Sequence, residues 1–242
     1  VSNDWLTIES IIEQIAKDVP PGRPKLLVLD SNQELVNWKM GIVYNTFTER
    51  LKQRLNRYIR DCNTANLAVL TAADEGQVSW VSPQLGGSVF GQFLRLGLAG
   101  EADRNSPSPD GEVSLRELAD YLQAKVGGWV QFNRASKQQP TLILSENDLD
   151  FFVTHALDDR DLDTYLAVLT KGAASQPSVS VPKIGQLWAL LDQVRTFDVL
   201  RYDPIALGNF ENRLLRLEQL AYGGNQYIRK AENLQHDLEK AL

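Results

Sequence analysis

Apolar positions fall into two kinds of run along this chain, and the alternation between them lays out its elements. Near the start, Ile8, Ile11, Ile12 and Ile15 recur at i, i+3, i+4 and i+7. That is the stripe of a helix with one covered side, and Thr7 stands where its N-cap belongs. Pro20, Pro21, Gly22 and Pro24 break the pattern, and Lys25-Leu26-Leu27-Val28-Leu29-Asp30 follows as a short continuous apolar run. A run of this length between turn residues predicts a strand covered on both faces. From Trp38 to Arg60 the helical period returns. Val43, Phe47, Leu51, Leu55 and Ile59 step by four along one side, and Glu49, Arg50, Lys52, Gln53 and Arg54 occupy the other. Leu67-Ala68-Val69-Leu70-Thr71 is a second apolar run. Strand, helix and strand in that order predict a βαβ unit, with the two strands parallel and joined by a right-handed crossover.

Beyond the second strand the chain turns polar from Ala72 to Pro83, and Gly86-Gly87-Ser88 leads into a helix with Val89, Phe90, Phe93 and Leu94 on its apolar side. Residues 105–110 form a Ser/Pro loop. Ser114 and Glu117 have the spacing of a capping box, so a helix is expected to start there with Leu115, Leu118, Leu122 and Val126 turned inward. Pro140 opens a last strand over Thr141-Leu142-Ile143-Leu144, at the first position because it has no N–H to donate. From Ser145 onward no strand is expected. Helices are predicted over 148–156, 160–171, 183–196 and 204–241, the last broken near Gly223-Gly224, with residues 172–182 as a linker. Leu187, Leu190, Leu191 and Val194 mark one apolar face, and Tyr227, Ala231, Leu234 and Leu238 mark another at coiled-coil-like steps.

A length of 242 residues accommodates one large domain or a medium one with an appendage, and the change of character divides the chain into 1–145 and 146–242. The formal charge of -6, with no long basic run, argues against nucleic acid or an anionic membrane as the main partner. A single cysteine, Cys62, excludes an intrachain disulfide and fits a reducing, cytoplasmic compartment. No apolar run approaches the roughly 18 residues of a membrane span, and no basic-then-apolar leader opens the chain. The first residue is valine and the last helix reaches Leu242 without a cap, so the chain is expected to be a piece of something longer.

Asp30 falls where the first strand emerges, and the carboxyl ends of parallel strands are where open α/β sheets carry their ligands. Three groups of residues then line up. Leu27-Val28-Leu29-Asp30-Ser31-Asn32 ends an apolar strand in an aspartate. Ser79-Trp80-Val81-Ser82-Pro83 is followed by Gly87-Ser88-Val89-Phe90. Ala102-Asp103, Asp110-Gly111 and Glu117-Leu118 come after. In this order, from Leu27 to Leu118, they resemble the C-terminal half of a caspase-like domain, the cysteine peptidase fold of caspases, metacaspases and bacterial relatives. The resemblance implies a three-layer α/β/α sandwich on a mostly parallel sheet, present here in part and followed by an all-α extension. It implies a nucleophilic cysteine two residues beyond the aspartate, a substrate loop at the Ser-Trp pair, and a histidine on an earlier strand.

The departures decide the expected function. The nucleophile position holds Asn32, whose amide has no thiolate to attack a carbonyl. The matching histidine would precede Val1, and the two histidines present, His155 and His236, lie in the helical tail. The arginine that follows the Ser-Trp pair in caspases is Val81 here. The resemblance therefore implies a non-catalytic caspase-like module with a helical extension, an interaction or regulatory part of a larger protein. Its substrate-binding remnant would be Asp30, Gln77, Ser79 and Trp80. The alternative is a portion of a caspase-like cysteine endopeptidase whose histidine lies upstream and whose nucleophile is substituted. Trp80 has a second reading as packing under its loop, and Asp30 as a loop-ordering carboxylate. A phosphate binder is disfavoured because Asp30-Ser31-Asn32-Gln33 has no glycine to wrap a phosphate. Asp110-Gly111 with Glu117 has the shape of the second half of a calcium loop, but Ser106 and Ser108 stand where its first carboxylates would be. No metal and no cofactor is expected. A protein or peptide partner is expected, and an N-terminal segment or another chain to complete the sheet beside residues 25–30.

Overall fold

The predicted βαβ unit is present. In the computed structural model, which describes residues 7–31, 46–62, 65–134, 136–146, 148–173, 181–196, 203–223 and 225–241, helix α1 (Ile8–Asp18) precedes strand β1 (Lys25–Leu29). Helix α2 (Phe47–Cys62) leads to β2 (Leu67–Thr71). The expected start of α2 at Trp38 lies outside the described residues. The chain continues through a hairpin of β3 (Val81–Ser82) and β4 (Gly87–Ser88), then α3 (Val89–Leu96) and a kinked segment Gly97–Glu101. Next come the short α4 (Ala102–Arg104), β5 (Glu112–Ser114), α5 (Leu115–Arg134), β6 (Thr141–Leu144) and β7 (Phe152–His155). Last are α6 (Asp159–Ala173), α7 (Val181–Thr196), α8 (Pro204–Tyr222) and α9 (Ile228–Ala241). The linker expected at 172–182 is helical at both its ends, and residues 174–180 lie outside the described residues.

The main sheet has the order β1-β2-β6. β1 and β2 are parallel, from Lys25 opposite Leu67 to Leu29 opposite Thr71. β6 runs antiparallel to β2, with Val69 opposite Ile143. The described sheet is therefore mixed, where a mostly parallel one was expected. The two longer helices between β2 and β6, α3 and α5, make two passes that bring the chain back pointing the other way. Side chains alternate across the sheet as the strand period requires. Leu67, Val69 and Ile143, with Leu27 and Leu29, pack against Ile12 of α1 and Leu51 and Leu55 of α2. On the opposite face Leu70, Leu26 and Leu142 join Val89, Phe90, Leu118 and Leu122 of α3 and α5. Helices thus cover both faces, and the protein is a mixed α/β structure.

Local signals hold where they were strongest. Thr7 Oγ1 accepts from Ser10 N at 3.1 Å and caps α1. Ser114 and Glu117 form the reciprocal box: Glu117 N donates to Ser114 Oγ at 3.2 Å, and Ser114 N donates to Glu117 Oε2 at 2.9 Å.

The all-α expectation for the region after Ser145 is corrected by β7. The helix expected over 148–156 does not form there. Phe152–His155 instead pairs antiparallel with β5, Val113 opposite Thr154. A short apolar run does not distinguish the two periods, and its aromatic and β-branched residues suit a strand once a partner is in reach. The partner is held in place by a turn that only glycine makes easily. Gly100 has φ +124, and a Cβ there would lie 2.9 Å from the Cβ of Ala156. Leu157 N donates to Ala99 O at 2.9 Å, and Arg104 reaches Asp159 at 2.8 Å and Asp163 at 3.3 Å.

Buried side chains of α7, α8 and α9 belong to the same cluster as those of α3 and α5: Leu187, Trp188 and Leu191 with Leu214, Leu217 and Leu238. At their junction Arg134, only 2% exposed, pairs with Glu218 at 2.7 Å. Its guanidinium lies over the rings of Trp129 and Trp188 at 4.9 Å each and of Trp80 at 5.8 Å. Glu218 also accepts from Trp188 Nε1 at 3.0 Å. Burial pulls the guanidinium down from its ordinary value and pushes the Glu218 carboxyl up, each against the pull of the other ion. Among the described residues no helix is long and apolar enough to cross a membrane.

Candidate functional site

The carboxyl ends of β1 and β2 lie side by side, and Ala72 N donates to Leu29 O at 3.1 Å just past the last paired residues. Asp30 emerges there, exposed to solvent. Its carboxylate accepts a short hydrogen bond from the Ser88 hydroxyl. That hydroxyl in turn accepts from Gly91 N at 2.9 Å, so Ser88 is the N-cap of α3. A Cβ on Gly91 would stand 2.7 Å from Ser88 Oγ and 3.1 Å from Asp30 Oδ2, and the missing side chain lets α3 approach the strand end closely. Asp30 thus orders the start of α3 against the sheet, as the loop-ordering reading of this carboxylate describes.

The loop from Ala72 to Trp80 is fastened by side chains from neighbouring elements. Thr48 of α2 donates to Ala73 O at 2.8 Å, and Thr71 donates to the same carbonyl at 3.1 Å. Gln138, 1% exposed, does most of the fastening. Its Nε2 donates to Ala72 O at 2.9 Å and to Ser79 Oγ at 3.3 Å, while its Oε1 accepts from Trp80 N at 2.9 Å. One amide side chain therefore satisfies the Ala72 carbonyl and the Trp80 N–H together. Next to it, Gln139 N donates to Gln77 Oε1 at 2.6 Å. At the loop's outer edge Lys52 Nζ holds Asp74 at 2.8 Å and Glu75 at 3.3 Å. Burial works to raise the Asp74 carboxyl, but the Lys52 ammonium and a backbone N–H outweigh it and leave the group below its ordinary value. Burial likewise works to lower the Lys52 ammonium, and its two carboxylate partners raise it.

These contacts locate the residues named from the sequence. Val89 N, next to the Ser88 that binds Asp30, donates to Trp80 O at 2.9 Å, so Asp30 and the Ser79-Trp80 pair lie at one end of the sheet. They do not share one exposed surface. Ser79 is 2% and Trp80 4% exposed, and Trp80 meets the Trp188 ring edge-on with centroids 5.6 Å apart. Trp80 is packing under its loop. Asn32 lies outside the described residues, and Cys62 closes α2. His155 sits in β7, 3.9 Å from Glu112 and with its ring tilted against that of Phe152, and His236 is exposed on α9.

The fastening roles of three residues escaped the sequence reading. Gln138 sits in the patternless polar run Lys137-Gln138-Gln139 before a strand, and nothing in that run marks it. Ser88 was visible as a helix-start signal but not as the partner of Asp30. Asp103, 6% exposed, accepts from Asp110 N at 2.8 Å and Gly111 N at 3.2 Å and closes the Ser/Pro loop. Among the described residues no group of three His, Cys, Asp or Glu side chains could hold a metal ion.

No family model, no curated protein and no solved structure matches the chain.

Proposed function

We propose that this chain is a non-catalytic caspase-like module with a helical extension, working as an interaction or regulatory part of a larger protein. The observation that carries the reading is the use made of the Ser79-Trp80 pair at the sheet end. In the peptidase that the sequence resembles, this loop lines the substrate cleft. Here its backbone and the Ser79 hydroxyl are taken up by Gln138, and the Trp80 ring packs on Trp188. Asp30 is taken up by the cap of α3. With Asn32 at the position of the nucleophile and Val81 at that of the substrate-binding arginine, the ends of β1 and β2 serve as scaffold. Among the described residues β1 is paired on one side only, by β2, and its free edge suits the partner strand that an upstream segment or another chain would supply.

The test is hydrolysis of fluorogenic peptides carrying Asp, Arg or Lys before the scissile bond. The purified chain is expected to leave all three intact. Asn32→Cys is expected to remain inactive, because a cysteine without a general base turns over poorly. Inhibitor-sensitive cleavage by the unaltered chain would overturn the proposal.

A further inference from the structure

We draw no further inference here: the strongest candidate, the cavity of about 550 Å³ that opens between the end of α5, α7 and α8 beside the exposed Phe132, carries nothing because nothing in the structure shows what occupies it.

Discussion

Leucine in place of Gln138 keeps the volume of the side chain and removes its amide. Three bonds disappear with it: to Ala72 O and from Trp80 N, both 2.9 Å, and the longer one to Ser79 Oγ. Ala72 and Trp80 are 1% and 4% exposed, so water does not readily replace the lost partner. An unpaired buried donor or acceptor costs roughly 1–3 kcal/mol, and two of them put Gln138→Leu about 2–6 kcal/mol below the parent. A domain's whole stability is about 5–15 kcal/mol, so the variant should be folded but marginal. In urea, with a slope of about 3 kcal/mol/M for a chain of this size, the midpoint should fall by about 0.7–2 M. Gln138→Glu sharpens the test. Its carboxylate can accept from Trp80 N but cannot donate to Ala72 O, whereas the protonated acid can do both. Burial raises its pKa above the unfolded value, so its stability is greatest below the unfolded pKa and declines as the pH rises through the folded one. Urea midpoints at several pH values measure both variants. A loss under about 1 kcal/mol for Gln138→Leu, or a Gln138→Glu profile that improves with rising pH, would refute the claim that this amide holds the loop.

Ser88→Ala removes the cap of α3 and the partner of Asp30 together, and should cost about 1–2 kcal/mol in the same unfolding experiment. Burial holds the Glu218 carboxyl above its ordinary value against the pull of Arg134. Its contribution to stability is therefore full below the unfolded glutamate pKa and falls as the pH rises through the folded one; Glu218→Gln should flatten that decline in urea midpoints taken between mildly acidic and neutral pH. Asp74 has the opposite sign, because Lys52 holds its carboxyl below the ordinary value. Its stabilisation is present above the unfolded aspartate pKa and lost as the pH falls through the folded one. The pair is partly exposed, so Asp74→Asn should cost no more than about 1 kcal/mol at neutral pH and nothing in strong acid.

The sequence by itself was sufficient for every element whose signal is local. The isoleucine stripe of α1, its Thr7 cap, the Ser114-Glu117 box and the two apolar runs of β1 and β2 depend on residues within a few positions of one another, and each formed as read. The parallel pairing of β1 and β2 was legible too, because one intervening helix leaves a strand little choice of direction. What only the tertiary structure decided involves partners distant in sequence. Phe152–His155 is too short a run to show either period, and β5, far upstream, chose the strand. β6 could be read as a strand but not as an antiparallel one, since its direction depends on how many helices return the chain. At the candidate site, Asp30 was visible from its place at a strand end, but its bond to Ser88 spans 58 positions. Trp80 is buried because Gln138 and Trp188 meet it there, from 58 and 108 positions further along the chain. Periodicity reports which side of an element seeks cover. Which residue provides it is settled when the elements pack, and a buried hydrogen bond or ring contact between them leaves no repeating pattern in the sequence.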